Sequence, residues 1–281
     1  MNKNTLVKNT GQVFTPQYIV CNMLDFCAYR GESILNKHIM DNSCGDGAFL
    51  KEITERYIKQ ALSLGYGIEK IKSVLETYIH GMEIEKETFN SCIENLNIIA
   101  GKYQINKVKW DVRNENSLSL HDFDGAMDFV VGNPPYVRVH NLNEKYKEIK
   151  RFSFASSGMT DLFLVFYELG FRMLNKKGKL CYITPSSWLN SLAGKKLRQF
   201  IKTNYNLKAL VDLEHFQPFN ATAYTHITLF DKEKKDNFFS YHTFDKENLN
   251  NVFKEKLSLT EIDIEDKFYL AGHDKLQKLR L

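Results

Sequence analysis

Asn133-Pro134-Pro135-Tyr136 is the stretch of this chain whose residue types and order suit chemistry on a planar amine. The Asn133 amide offers a hydrogen-bond acceptor, and Pro135 biases Pro134 towards an extended conformation, so that the Pro134 carbonyl can be held beside it at a fixed angle. Two acceptors converging on an –NH2 group would draw its lone pair out of conjugation and aim it at an electrophile, with no general base. The Tyr136 ring could stack on the same substrate, a contact worth about 1–3 kcal/mol for a nucleobase. Adenine N6, cytosine N4 and a carboxamide all present such a group. The plainer reading is a stiff turn that caps a strand.

The elements around the turn favour the first reading. Asp128-Phe129-Val130-Val131-Gly132 has strand composition, and neither a helix nor a central strand continues through Pro134-Pro135. The turn is therefore expected where a buried strand delivers its end to a cleft, the usual ligand site of an open α/β sheet.

Asn133-Pro134-Pro135-Tyr136 resembles motif IV of the amino-methyltransferases that use S-adenosylmethionine. With Gly132 before it and Val137-Arg138 after it, the stretch is similar to the adenine-N6 DNA methyltransferases of restriction–modification systems. The resemblance implies an α/β fold with a doubly wound, mostly parallel, Rossmann-like sheet, S-adenosylmethionine as cofactor and DNA as partner. It also implies a set order of further motifs, the gamma order, with motif X at the N-terminus.

Taken along the chain, those motifs can be found. Phe14-Thr15-Pro16 precedes a run in which Ile19, Val20, Met23, Leu24 and Cys27 recur at helical spacing, so Thr15 reads as an N-cap and Pro16 as the first helical residue. The resemblance instead makes this segment motif X, lining the methionine end of the cofactor. A short apolar stretch, 34–40, leads into Asp41-Asn42-Ser43-Cys44-Gly45-Asp46-Gly47 and then a helix. This is a strand–glycine turn–helix arrangement that lacks the Gly-Lys-Ser/Thr ending of a phosphate loop. By resemblance it is motif I: Asp41 binds the amino-acid portion of the cofactor, and Cys44, Gly45 and Gly47 form the loop beside it. Glu83-Ile84, after the strand near 78–82, matches motif II, where an acidic residue accepts ribose hydroxyls; a solvated glutamate is the alternative. Asn116 stands where relatives carry an aspartate that receives the adenine amine of the cofactor, and its amide oxygen can still accept that bond, without charge assistance.

Beyond the Asn-Pro-Pro-Tyr turn, Arg138, His140, Lys145, Lys147, Lys150 and Arg151 form either a phosphate-holding loop or a solvated charged one. Thr160-Asp161 is expected to cap an apolar helix from Leu162 to Leu174 that stops at Lys176-Lys177-Gly178. A strand at 179–184, a basic helix at 195–202 carrying Lys195 and Lys196 as further DNA contacts, and a strand at 207–213 follow in the order of motifs V to VII. Gln217-Pro218-Phe219-Asn220 precedes an alternating strand and resembles motif VIII. Its aromatic residue, Phe219 or failing that Phe216, would face the base opposite Tyr136. A core aromatic at a strand end is the competing reading.

Composition bounds the rest. The 281 residues are 43% hydrophobic, enough for one large core with a small appendage, and no run of about 18 apolar residues or signal-peptide core is present, so a soluble, cytoplasmic protein without membrane partners is expected. Five cysteines without a CxxC pair argue against a disulfide framework or a zinc site, and no metal is expected. The formal net charge of +4 permits a polyanionic partner without demanding one. Residues 1–230 read as one catalytic domain and 231–281 as a partial C-terminal extension, too short for the target-recognition domain of such enzymes. Sequence reading would then fall to a missing region or a separate specificity subunit. Two rival functions stand beside DNA methylation: methylation of a protein glutamine or of RNA, and a cofactor-binding subunit inactive without its partner.

Overall fold

The computed structural model describes residues 15–139, 149, 151–155, 160–204, 206–214, 216 and 224–270. Phe14, His140, Lys145, Lys147, Lys150 and Phe219 lie outside the described residues.

Among the described residues, nine strands form one sheet: β1 (Ile39–Asp41), β2 (Ile79–Met82), β3 (Asp111–Arg113), β4 (Met127–Gly132), β5 (Leu174–Pro185), β6 (Leu207–Asp212), β7 (Thr225–Asp231), β8 (Phe238–Asp245) and β9 (Asn250–Ser258). Their order is β3-β2-β1-β4-β5-β7-β6-β8-β9. The strands from β3 to β5 are parallel, β7 runs antiparallel between β5 and β6, and β8 lies parallel to β6. The chain winds outward from β1 to β3 and then returns to place β4 beside β1. The carboxyl ends of β1 and β4 therefore flank the point where connections leave in opposite directions, and a crevice opens there.

Alternation along the strands explains the two cores. Phe129 and Val131 of β4, with Cys181 and Ile183 of β5, face one hydrophobic cluster, whereas Val130, Leu180 and Tyr182 face the other. The first is covered by helices α1 (Gln17–Phe26), α2 (Ala48–Ser63), α3 (Ile68–Tyr78) and α4 (Lys86–Gly101), and the second by α5 (Leu162–Met173) and α6 (Lys195–Asn204). Residues 238–258, within the stretch read from sequence as a C-terminal extension, supply the two strands that continue the sheet past β6.

Two local expectations are corrected. Thr15 does not cap α1: Pro16 occupies that position with no side-chain cap, and the Thr15 hydroxyl is engaged elsewhere. Lys176-Lys177-Gly178 does not end a helix in solvent either. Helix α5 stops at Met173 and the three residues belong to β5, where the register with β4 shifts between Met127 and Phe129. A Cβ on Gly178 would meet the Met127 carbonyl at 2.7 Å, so the glycine serves strand approach rather than a helix stop.

Candidate active site

A cavity lies over the carboxyl ends of β1, β2 and β4, floored by the Asp41–Asp46 turn and walled by Glu83, Asn116, Asn133 and Pro135. Each residue is delivered by the same local logic, an apolar strand that ends in a polar turn. Asp41 closes β1 and is buried, with its Oδ1 accepting the Ser43 N–H at 3.1 Å. Burial pushes its carboxyl up to about 8 against the pull of that hydrogen bond, and the neighbouring Glu83 adds to the rise. Gly132 makes the join between β1 and the Asn-Pro-Pro-Tyr turn possible, since a Cβ there would stand 2.8 Å from Asp41 Oδ1.

Glu83 is also buried, and both its oxygens accept backbone amides, Gly45 N–H at 3.0 Å and Glu85 N–H at 2.8 Å. Burial raises its proton affinity, with the two amides opposing. The side chain thus holds the glycine turn in place while lining the cavity. Gly45 adopts φ +57°, a conformation that favours glycine. Asn116 caps the short 3-10 turn Ser117–Ser119 by accepting the Leu118 N–H at 3.1 Å, and it too borders the cavity.

Asn133 donates Nδ2 to the Thr15 hydroxyl at 3.1 Å. That bond commits the donor end of the amide to Thr15 and turns the acceptor end the other way. Tyr136 donates its hydroxyl to the Ile183 carbonyl at 3.1 Å, which ties the turn to β5, and its ring meets Phe163 edge-on at 6.5 Å. Beyond it, Val139 N–H pairs with Thr160 O and Leu162 N–H with Val137 O, so the exit from the turn is pinned to the start of α5.

Of the residues singled out in the sequence, Thr15, Asp41, Cys44, Gly45, Glu83, Ile84, Asn116, Asn133 and Pro135 come together on the cavity wall. Pro16, Gly47, Pro134 and Tyr136 are adjacent in the chain but not on that wall. Gly47 has a different reason to be glycine: φ is +88° and a Cβ would lie 2.8 Å from Cys92 Sγ. Phe216, the fallback for the base-facing aromatic, stacks on Phe244 at 5.2 Å and tilts against Tyr18 at 6.0 Å, so its ring is used within the fold. Arg138, Lys195 and Lys196 are exposed, Lys195 at 3.6 Å from Asp266. All five cysteines are free thiols.

Sequence reasoning missed Leu162 and Phe166, which close the cavity from α5. Their spacing of four places them on one helix face, but the helix is apolar on nearly every side, so that spacing does not single them out. It also missed the buried support beneath Asp41. Asn42, fully buried, accepts the Tyr182 hydroxyl at 2.9 Å on Oδ1 and the Ser117 hydroxyl at 2.6 Å on its carbonyl.

The family model described as Eco57I restriction-modification methylase matches residues 48–219. Type II methyltransferase M.BstVI of Geobacillus stearothermophilus is 30% identical over 76% of this chain and 40% of its own length. Type II restriction enzyme and methyltransferase RM.Eco57I of Escherichia coli is 28% identical over 92% of this chain and 30% of its own length. The chain thus spans well under half the length of these two relatives. Among solved structures, a nuclease-deletion mutant of the Type ISP restriction-modification enzyme LlaGI with a DNA substrate mimic superposes with a TM-score of 0.71 at 16% identity, over 95% of this chain and 28% of that one. The type I restriction-modification methyltransferase subunit from Streptococcus thermophilus gives 0.65 at 15% identity, over 94% of this chain and 61% of that one. Both share the doubly wound sheet. The family model covers more than half of the chain, and the chain belongs to the Eco57I restriction-modification methylase family.

Proposed function

We propose that this chain is the catalytic part of an adenine-N6 DNA methyltransferase that uses S-adenosylmethionine within a restriction–modification system and acts in the cytoplasm. The observation that carries the reading is the Asn133 amide, held by Thr15 at the rim of a cavity whose far wall contains the buried carboxyls of Asp41 and Glu83.

The wall fits the cofactor. Two buried acids with raised proton affinity suit a ligand that brings positive charge, and a turn built on Gly45 lets backbone approach it. Asp41 would hold the amino-acid end, Glu83 and Asn116 the nucleoside end, and Phe166 with Leu162 the apolar surface between them. When bound, S-adenosylmethionine supplies an electrophilic methyl group.

The chain's own residues do the rest. Asn133 Oδ1, with the Pro134 carbonyl, accepts the N–H bonds of the adenine amine and directs its lone pair into the cavity. Tyr136, anchored through its hydroxyl, supports the base ring. No side chain is needed to remove a proton before methyl transfer, because orientation and fixed dipoles carry the acceleration. The adenine must leave the duplex to arrive there, at a cost of a few kcal/mol. Reading of the target sequence would come from a further domain or a specificity subunit.

The test is transfer of tritiated methyl to unmodified DNA, to RNA and to a glutamine-bearing peptide, by the wild-type chain and by Asn133→Ala. Label in DNA alone, lost by roughly 10²–10³ in the variant while calorimetry shows cofactor binding retained, is the expected result. Near-normal turnover by Asn133→Ala, or label only in RNA or peptide, refutes the assignment.

A further inference from the structure

The connection after β5, residues 186–194, crosses the same sheet edge as the cavity, and the Tyr136–Ile183 bond ties the catalytic turn to the strand that precedes it. This surface loop is braced from below. Arg198, only 3% exposed, donates Nη1 to the carbonyls of Trp188 at 2.6 Å and Ser191 at 2.9 Å, and Nε to the Asp266 carbonyl. Gly194 packs on the Trp188 carbonyl so closely that a Cβ would collide with it, and its N–H donates to Ser191 Oγ at 3.2 Å. Trp188 itself is buried against Phe268.

From this fixed platform Leu192 projects at 77% exposure, and the exposed Lys195 and Lys196 follow at the start of α6. A single exposed leucine is ordinary on a protein surface. An exposed leucine on a loop braced by a buried arginine, followed by two exposed lysines of which Lys195 also lies 3.6 Å from Asp266, and set at the same sheet edge as the Asn-Pro-Pro-Tyr turn, suits a ligand that is anionic outside and apolar within. Duplex DNA at an opened base step is such a ligand. Extruding a base leaves a gap without stacking contacts on either side, and apolar side chains fill gaps of this kind.

We infer that Leu192 is a wedge that enters the duplex where the target base has left, with Lys195 and Lys196 on the flanking phosphates. The inference rests on the DNA methyltransferase reading of the site. Leu192 positions the substrate and takes no part in the chemistry.

To test it, the sites methylated by the full chain are mapped by sequencing modified bases. One site is then copied into an intact duplex and into a duplex lacking the base opposite the target adenine, where stacking is already broken. Leu192→Ala is expected to lower methyl transfer to the intact duplex about tenfold and to approach the wild-type rate on the opened one. Leu192→Met, which keeps the volume, restores transfer to the intact duplex. Melting temperature and cofactor affinity stay unchanged, because the side chain is mostly in solvent. An unchanged rate for Leu192→Ala on the intact duplex overturns the wedge, as does an equal loss on both duplexes. Failure of the wild-type chain to methylate any DNA when joined to its recognition domain or specificity subunit removes instead the reading beneath it.

Discussion

Asn133 donates its amide nitrogen to the Thr15 hydroxyl at 3.1 Å, joining residues 118 positions apart. In the function proposed above, the bond selects which end of the amide faces the substrate. Thr15→Val keeps the shape and removes the acceptor, so the amide loses its preferred orientation. A neutral hydrogen bond is worth about 0.5–1.5 kcal/mol, and a drop in kcat of roughly two- to tenfold is expected with KM for DNA little changed. Steady-state kinetics on unmodified DNA would measure it, and an unchanged kcat would show that Thr15 does not orient Asn133.

Gly132 brings the Asn-Pro-Pro-Tyr turn against Asp41. Gly132→Ala would set a methyl group 2.8 Å from Asp41 Oδ1 at a backbone φ of +156°, so the carboxyl or the backbone must shift. Cofactor affinity measured by calorimetry should fall by tenfold or more. The melting temperature should fall too, by an amount consistent with about 1–3 kcal/mol of overpacking.

Asp41 links the site to pH. Its carboxyl is raised by burial from the ordinary 3.8 to about 8, so the folded protein binds that proton more tightly than the unfolded chain does. The resulting stability is complete below pH 3.8, declines as pH rises, and is gone above about pH 8. Asp41→Asn carries no titrating group there. Denaturant unfolding of the ligand-free protein should find it close to wild type near pH 4 and more stable near pH 8, by on the order of a few kcal/mol, with cofactor binding lost. Parallel stability–pH curves for the two proteins would contradict a raised Asp41.

Tyr182 supports the Asp41–Asp46 turn that floors the cavity. Tyr182→Phe leaves the fully buried Asn42 Oδ1 without the hydroxyl that it accepts at 2.9 Å. Such a loss costs about 1–3 kcal/mol, visible as a melting temperature lower by several degrees in calorimetry. Weaker cofactor binding should accompany it, because Asn42 is continuous with Asp41.

The parts of the site that could be read in the sequence share one property. Asp41, Glu83 and Asn133 each follow an apolar run, and in a parallel sheet such strand ends meet at one edge, so their types and order announce a shared cavity. Leu162 and Phe166 carry no such mark, since α5 is buried on nearly every side and no stripe distinguishes the face that meets the cavity. Gly45 and Gly47 look alike in sequence. One is held by Glu83 at the cavity wall and the other makes room for Cys92, a difference set by a helix 40 residues further on. Phe216 is silent for the same reason, because its stacking partner Phe244 belongs to a strand whose pairing with β6 is long-range.

That pairing reaches beyond packing. β8 pairs with the outer side of β6 from Ala209 to Asp212, and Phe239 and Phe244 enter opposite cores. Cutting the polypeptide before Phe238 would strip β6 of its neighbour and leave a bare row of amides and carbonyls, a template for another molecule to zip onto. Shortened versions are therefore expected to come out of cells as aggregates, however intact their Asn-Pro-Pro-Tyr turn.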